Sequence, residues 1–386
     1  MLAVMGVSPQ DRAAGRFANP SSVYGWGIGV AAGIDEARRT LAGAVGGRPA
    51  EICFTSGGTE ANNLAIGGLA RGLARRGRHL ITTAIEHHSV LDACAALEED
   101  GWEVTRLPVD EAGRVRPSDL RDALRPDTVF VTLAHVNNEI GTVQPIAEIT
   151  AVLRGTRVAL VLDAVQALGK VPTPYAAWGV TAVSLSAHKI HGPKGVGALW
   201  VRAGTPVRPL VHGGGQQGGL RPGTENVPGI AGFGVAAALA LGDPGATARL
   251  RNNKVLLWHL VAEQLPGVTA NGPDPEDATS SSPHVLNVCF AGCVSRRSEE
   301  PLLAAEVLLH RMEQHGLACS AGSACSARRP EPSHVLAAIG LSGAALRSSL
   351  RFSLGLDTTA ADVRRAAPVI AAAVRQQLAL GRGERS

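Results

Sequence analysis

Short apolar runs alternate with helix-compatible stretches from about Glu51 to Arg202. Most of these runs are followed by a turn, and they are too short to be helices, so they are typical of buried strands. Seven are visible: Ile52–Thr55, His79–Thr83, Val104–Leu107, Val129–Ala134, Val158–Leu162, Val183–Ser186 and Ala198–Val201. Strands that alternate with helices form mainly parallel sheets covered on both faces. The pattern therefore predicts an α/β fold with a mainly parallel seven-stranded sheet.

A Gly/Pro-rich break at Leu241–Thr247 interrupts this alternation. It predicts a large domain over residues 1–243 and a smaller α+β domain over residues 244–386. The second region shows helical and strand patterns and a loop of small residues, in the order Ala248–Leu265 (helix), Val285–Phe290 (strand), Leu302–His315 (helix), Leu317–Arg329 (loop) and Ser349–Leu354 (strand), before an Ala-rich C-terminal helix.

The residues that follow each strand are the first candidates for a binding site. In open α/β sheets, ligands bind beyond the carboxyl ends of the strands. The segments at those ends are Ser56–Glu60, Glu86–Ser89, His135–Gly141, Asp163–Gln166 and Ala187–Lys189.

Composition narrows the functional classes. The 386 residues are 45% apolar and 18% charged, which predicts a globular protein. A net charge of +4 and an aromatic content of 3% do not favour nucleic acid as a ligand. We expect no membrane span and a cytoplasmic location, because no long apolar stretch or secretion signal is visible. The six cysteines are expected to be thiols. We expect no metal site, since Cys289 and Cys293 have no second ligand pair at a suitable spacing.

Lysine is rare in this chain. Only four of the 37 basic residues are lysines, so arginine serves wherever positive charge alone is needed. A lysine retained against this bias suggests covalent chemistry, because an amine of adjustable pKa can do what a guanidinium cannot.

Asp163 directly follows the predicted strand Val158–Leu162, and Lys189 follows the predicted strand Val183–Ser186 by three residues. One crossover separates the two strands. Such a crossover can bring both to one edge of the sheet. Pyridoxal 5′-phosphate requires this pair, because the amine forms a Schiff base and the acid holds the pyridine nitrogen protonated. His87 offers a ring to stack on the cofactor, and Gln166 an amide for its phenolic oxygen. A structural ion pair is the alternative interpretation.

The turn Ser56-Gly57-Gly58-Thr59 precedes a predicted helix. Glycines and a hydroxyl at a helix start expose backbone N–H groups to a phosphate. An ordinary capped turn is the alternative here.

Eight motifs in order along the chain resemble those of the cysteine desulfurases, which are fold type I enzymes of the class V aminotransferase family. They are Thr55–Asn63, Glu86–Val90, Asn137–Pro145, Asp163–Gln166, Ser186–Gly195, Gly213–Gln216, Arg221–Asn226 and Ser320–Cys325. The likeness extends from about Asn19 to Leu354. Relatives usually begin with a strand and loop that this N-terminus does not show.

The resemblance implies a role for each site residue. Lys189 would hold the cofactor, His87 would stack on it and move protons, and Cys325 would be the nucleophile that accepts sulfur. Arg351 and Asn138 would bind the substrate. The remaining cofactor contacts would come from Gly58, Thr59, Asn138, Asp163, Gln166, Ser186, His188 and, from the second subunit of a homodimer, Thr224.

The implied activity is conversion of L-cysteine to L-alanine, with sulfane sulfur passing to an enzyme cysteine and then to an iron–sulfur scaffold or another acceptor protein. An aminotransferase or a selenocysteine lyase would share Lys189 and Asp163, but neither needs a loop that carries Cys325. A catalytically weak assembly or regulatory protein with this fold is the alternative from another class. Cys319 is expected at the end of a strand that leads into the loop.

Overall fold

A computed structural model describes residues 18–294, 303–321 and 332–381, which fall into two units. The first lies within Met1–Arg106, Leu120–His135 and Ile146–Pro244, and the second within Leu107–Asp119, Val136–Pro145 and Gly245–Ser386. The break after Pro244 lies next to the predicted boundary. The sequence had suggested that residues 107–119 and 136–145 belong to the first domain. In the structure they group with the second unit. Each of these segments leaves the large sheet after a strand, Glu103–Leu107 for one and Thr128–Ala134 for the other, and the chain then returns to the sheet. No change in composition marks the two segments in the sequence.

The first unit is built around a sheet whose strands are β1 (Ile52–Thr55), β2 (His79–Thr83), β3 (Glu103–Leu107), β4 (Thr128–Ala134), β5 (Ala159–Asp163), β6 (Ala182–Ser186) and β7 (Gly197–Val201). Its helices are α1 (Gly25–Val45), α2 (Gly58–Leu73), α3 (His88–Glu99), α4 (Pro117–Ala123, which begins in the other unit), α5 (Ile146–Leu153), α6 (Tyr175–Trp178) and α7 (Val227–Gly242). Short 3₁₀ turns cover Pro49–Glu51, Ala187–Ile190 and Gln217–Gly219.

The strand order in this sheet is β1-β7-β6-β5-β4-β2-β3. Parallel pairing joins β2 to β4, β4 to β5 and β5 to β6, whereas β7 runs antiparallel to both of its neighbours. The central strands β4, β5 and β6 are buried on both faces, as expected where helices cover a sheet, whereas the edge strand β3 is largely exposed or half-buried. The mainly parallel seven-stranded α/β fold is therefore confirmed. Each observed strand also begins and ends within one residue of the run that predicted it.

The second unit contains a three-stranded antiparallel sheet in the order β10 (Ser349–Ser353), β9 (Val285–Cys289), β8 (Thr269–Ala270). Its helices are α8 (Ala246–Gln264), α9 (Ala305–Gln314), α10 (His334–Ala338), α11 (Gly343–Arg347) and α12 (Ala360–Gly381), and a 3₁₀ turn covers Ala291–Cys293. One apolar core joins α8, α9 and α12 to the sheet, with Leu257, Leu308 and Ile370 among its buried members.

In the part of the chain that the structure describes, no single helix is long and apolar enough to cross a membrane; α7 and α8 meet the length and composition criteria only as a bent pair.

Candidate active site

Three parallel strands of the first unit end side by side. β4 ends at Ala134, β5 at Asp163 and β6 at Ser186, and the register pairs Ala134 with Asp163. The backbone N–H of His135 continues this pairing, since it donates to the Asp163 carbonyl at 2.9 Å. The sheet therefore brings Asp163 and the Ser186–Lys189 segment to one carboxyl edge, where ligands of such sheets bind.

Asp163 is buried, with 8% of its surface exposed. Its Oδ1 accepts the backbone N–H of Val165 at 2.9 Å, and its Oδ2 accepts Nδ2 of Asn62 at 2.8 Å. Both carboxylate oxygens are thus oriented by donors that lie on different elements. A buried, oriented carboxylate at a strand end is suited to binding a protonated ring nitrogen.

His87 precedes α3 as its N-cap residue. Its Nδ1 accepts the backbone N–H of Ser89 at 3.0 Å and lies 2.8 Å from Ser89 Oγ. Because an N–H can only donate, Nδ1 must carry a lone pair, and these bonds assign the proton of the neutral ring to Nε2. The ring is half-buried.

The start of α2 has the properties of an anion cradle. Gly57 has an extended backbone, and no side chain among the described residues caps this end of the helix. A Cβ on Gly58 would lie 2.6 Å from Val165 Cγ2 and 3.6 Å from Ser186 Cβ, so only glycine lets the helix start come this close to the ends of β5 and β6. The first N–H groups of α2, with Thr59 beside them, are suited to a phosphate.

An acidic residue also lies in this first turn. Glu60 Oε1 accepts Nε of Arg221 at 2.9 Å, and Oε2 accepts the N–H of Ser56 at 2.6 Å. The hydrogen bonds from Ser56 and Arg221 outweigh burial and hold the pKa of Glu60 below its usual value. Arg221 therefore balances the carboxylate charge that would otherwise repel an anion at this helix start.

Lys189 lies in the 3₁₀ turn Ala187–Ile190, directly after β6, and its side chain is exposed. Its carbonyl accepts Nζ of Lys170 at 2.9 Å. Burial, with a further contribution from the charge of Lys189, lowers the pKa of Lys170 to about 7. In the same turn, Nδ1 of His188 lies 2.8 Å from Ser186 Oγ, and burial and three neighbouring lysines lower the pKa of His188.

Two further residues that were predicted from the resemblance belong to the first unit. Gln166 is half-buried and lies three residues beyond Asp163. Thr224 is exposed in the loop before α7, and the N–H of its neighbour Gly223 donates to Oε1 of Gln216 at 2.8 Å.

The second unit brings Arg351 and Asn138 together. Arg351 lies in β10, and its Nη1 donates to the Asn138 carbonyl at 2.9 Å. The Arg351 backbone pairs with Ser320, through N–H···O bonds of 3.1 and 2.7 Å in the two directions. The guanidinium is thus fixed at one nitrogen by a backbone carbonyl, which orients its planar fork.

Burial disfavours the thiolate form of four of the described cysteines. Burial raises the pKa of the Cys53 and Cys94 thiols to about 12, and those of Cys293 and Cys319 to about 11. Cys289 is a buried residue of β9, which lies within the run Val285–Phe290 that predicted a strand. Cys319 lies just before the bridge formed by Ser320 and not in a strand, and its Sγ is 3.7 Å from Met312 Sδ. Cys325 lies outside the described residues.

Four residues of this site were not predicted from the sequence. Asn62 and Ser89 form hydrogen bonds around Asp163 and His87, and Lys170 binds the Lys189 backbone. The fourth, Glu86, is buried and accepts Thr83 Oγ1 at 2.6 Å; burial, with the nearby charge of Asp163, raises its pKa to about 8. Three of them lie inside motifs that the sequence had singled out. Asn62 also follows Gly58 by four residues, a spacing that places both residues on the same face of the helix.

Among the described residues, no three His, Cys, Asp or Glu side chains are grouped so that they could hold a metal ion.

Comparison with known proteins gives one consistent result. The family model described as "Aminotransferase class-V" matches residues 12–366. The chain is 42% identical over 349 residues to cysteine desulfurase IscS of Dictyoglomus turgidum. The aligned region covers 90% of this chain and 85% of that protein. It is also 42% identical over 356 residues to cysteine desulfurase IscS of Methanosarcina thermophila, over 92% and 84% of the two chains.

Solved structures give the same relationship. A NifS-like protein superposes with a TM-score of 0.84 at 32% identity, covering 95% of this chain and 94% of its own. DndA from Streptomyces lividans superposes with a TM-score of 0.72 at 35% identity, covering 91% and 95%. The strand-end site and the agreement over most of the sequence lead to one conclusion: the chain belongs to the class V aminotransferase family and, within it, to the cysteine desulfurases.

Proposed function

We propose that this protein takes sulfur from L-cysteine, releases L-alanine and carries the sulfur as a persulfide on its own Cys325. The observation that carries the proposal is the placement of Asp163 and the Ser186–Lys189 segment at neighbouring strand ends, beside an uncapped helix start. The relatives named cysteine desulfurase support the choice of substrate.

The residues present fit pyridoxal 5′-phosphate, the cofactor of this family. A primary amine, an oriented buried carboxylate and a helix start that admits only glycine at position 58 are the groups this cofactor needs. Lys189 would hold it covalently and Asp163 would pair with its ring nitrogen. His87 would stack on the ring, Gln166 and Asn138 would contact its ring oxygen, and the phosphate would be held by Gly58, Thr59, Ser186 and His188. When bound, the cofactor withdraws electrons from the Cα of an amino acid.

Four side chains then act on the substrate. Arg351 binds its carboxylate through two parallel N–H···O bonds, and Asn138 assists. The Lys189 amine moves the proton at Cα, because an amine freed from its covalent bond is a base. His87 presents its Nε2–H, since Nδ1 is occupied by Ser89.

Cys325 performs the sulfur transfer. Its thiolate attacks the substrate Sγ, a new S–S bond forms, and the Cβ–Sγ bond breaks. The electron pair of the broken bond stays on the three-carbon fragment, which is protonated and released as alanine. The high pKa values of Cys53, Cys94, Cys293 and Cys319 support Cys325 as the nucleophile, because a buried thiol is largely un-ionised at neutral pH.

The assembly is also a proposal. Thr224 would reach the phosphate of the partner subunit, so that a two-fold homodimer completes two identical sites. The persulfide would pass to an iron–sulfur scaffold or to another acceptor protein. The cytoplasmic location stays a prediction. Light scattering tests the dimer, and a fully active monomer would contradict it.

The activity is tested by adding L-cysteine and a reductant to the purified protein and measuring sulfide and alanine. We expect equal amounts of both products, and we expect neither from the Cys325→Ser variant. A keto acid in place of alanine would indicate an aminotransferase, and turnover of selenocysteine alone would indicate a selenocysteine lyase. Absence of turnover with a fully bound cofactor would favour the assembly or regulatory role.

A further inference from the structure

Asn62 forms two hydrogen bonds that point in different directions. It lies in α2 with 2% of its surface exposed, and its Nδ2 donates to Asp163 Oδ2 at 2.8 Å and to Ser89 Oγ at 2.9 Å. An amide nitrogen has two hydrogens and accepts nothing, so both are used here. The opposite orientation of the amide would place its oxygen against the Asp163 carboxylate, and repulsion between the two excludes it.

Ser89 links Asn62 to His87. Its Oγ already accepts a hydrogen from Asn62, so its own hydrogen is available for Nδ1 of His87 at 2.8 Å. The Ser89 backbone N–H donates to the same nitrogen at 3.0 Å. Asn62 therefore donates in two directions. One hydrogen bond goes to Asp163, and the other goes to Ser89, which in turn donates to His87.

Burying the polar groups of this network without hydrogen-bond partners would lower the stability of the fold. Asn62, Ser89 and Asp163 are all buried, and Ala61 and Ala65 beside Asn62 in α2 belong to an apolar core. A polar side chain in such surroundings is tolerated when every one of its donors is satisfied. An apolar residue would fill this position in a helix whose only role was packing.

We propose that Asn62 is a positioning residue that sets the orientation of the Asp163 carboxylate and, at the same time, directs the hydroxyl hydrogen of Ser89 to Nδ1 of His87. The inference rests on the proposed function, in which Asp163 and His87 contact the cofactor. Through Asn62, the group that binds the ring nitrogen and the ring that stacks on the cofactor are parts of one hydrogen-bonded unit. Its consequence is that Nδ1 of His87 accepts a second hydrogen bond, from the hydroxyl of Ser89, beside the one from the Ser89 backbone N–H.

The first measurement is the ¹⁵N shift of the His87 ring nitrogens in the cofactor-loaded protein, assigned by the signals that the His87→Asn variant loses. We expect a lone pair on Nδ1 and a hydrogen on Nε2. Asn62→Leu has a similar volume but no donors, so Ser89 Oγ is free to turn away, and the Nδ1 signal should move to that of a nitrogen that accepts one hydrogen bond fewer. The backbone N–H of Ser89 still donates to Nδ1, so the hydrogen should stay on Nε2. Ser89→Ala should shift the same signals, because it removes only the link to His87.

The second measurement is the rate at which each protein loses its cofactor on dialysis. Asn62→Leu should lose it roughly ten-fold faster, because hydrogen bonds to a charged group are the stronger ones. Ser89→Ala should lose it at the parent rate, within about two-fold, since the Asn62–Asp163 bond is intact. Arg71→Lys is the control on the same helix; Arg71 is exposed and its Nη1 donates to the Pro209 carbonyl at 3.2 Å, away from the network, so we expect no change in either measurement.

The proposal is overturned if Asn62→Leu leaves the His87 shifts unchanged, or if Ser89→Ala speeds cofactor loss as much as Asn62→Leu does. Ser89→Ala keeps the test decisive if Asn62→Leu does not fold. Failure of the proposed function gives a different result, because the parent protein would then bind cofactor and show no turnover of cysteine, while the shifts of His87 would still report on Asn62.

Discussion

Asp163 in the first unit and Arg351 in the second are fixed in different ways. Asp163 is the last residue of β5, and side-chain and backbone donors orient both of its oxygens. Arg351 lies in the middle of β10, and its Nη1 donates to a backbone carbonyl, that of Asn138. The hydrogen bonds around Asp163 form a network that includes several side chains, whereas the one described for the Arg351 guanidinium goes to a backbone carbonyl.

The difference indicates a division of labour. A cofactor that stays bound through many turnovers needs groups held in fixed positions, which a buried network provides. A substrate that enters and leaves at each turnover needs a charged fork that stays accessible. If this comparison is correct, changes in the first unit should alter the cofactor itself, and changes in the second should alter substrate and sulfur while the cofactor stays bound.

The largest effect is expected from Lys189→Ala. Without the amine no covalent bond to the cofactor forms, so the yellow colour and its visible absorption band should disappear and turnover should fall by about 10³-fold or more. Lys194→Ala removes an exposed lysine from the same motif and should keep the colour. An unchanged spectrum in the Lys189 variant would contradict the assignment of the cofactor.

Cys325→Ser should abolish sulfide release and keep the absorption band, because a hydroxyl cannot accept sulfane sulfur. Cys319→Ser should keep most of the activity, since burial raises the pKa of this thiol to about 11. Mass spectrometry after a pulse of L-cysteine should find the added sulfur on the peptide that contains Cys325. Its appearance on Cys319 would identify a different nucleophile.

Arg351→Lys should raise the KM for L-cysteine by about 10- to 100-fold and leave the absorption band of the bound cofactor unchanged. A lysine keeps the charge but cannot form two parallel hydrogen bonds to a carboxylate. Steady-state kinetics measure the effect, with the exposed Arg365→Lys in α12 as the control. Loss of colour in Arg351→Lys would remove the distinction between the two sites.

The smallest effect on turnover is expected from Glu86→Gln, which tests how much stability is lost by burying this carboxyl group near Asp163. Burial raises the pKa of Glu86 from 4.5 to about 8, so the unfolded chain ionises first as the pH rises. The cost to stability therefore grows between pH 4.5 and about 8 and is constant above that. The variant should be more stable than the parent by up to about 5 kcal/mol at pH 8, and by much less at pH 5. Urea unfolding at the two pH values measures this, and an equal difference at both would contradict it.

The strand ends could be predicted from the sequence because each follows an apolar run. Asp163 and Ser186 were found in this way, and the structure confirms that their strands are parallel neighbours. The Asn62 network could not be predicted, because its partners Ser89 and Asp163 are 27 and 101 residues away. Hydrophobic periodicity identifies the face on which a side chain lies but not its hydrogen-bond partner.

The second unit was harder to predict for the same physical reason. Arg351 lies in a short antiparallel strand, and only the family resemblance distinguished it from the other arginines. Residues 136–145 were assigned to the first domain because they follow β4, yet the Asn287 side chain donates to the Glu139 carbonyl at 3.0 Å, and Thr142 forms a β-bridge with Ser281. Pairings between segments so far apart leave no periodic signal in the sequence.

The close approach at Gly58 makes the two glycines of one turn unequal in their tolerance to change. At position 57, an added methyl group would meet no described atom within 4 Å, whereas at position 58 it would meet Val165 at 2.6 Å. A library that randomises both codons should therefore recover folded clones with many residues at 57 but almost none at 58. Clones with alanine at 58 should survive mainly when position 165 has also become smaller, so the two positions should vary together among functional sequences.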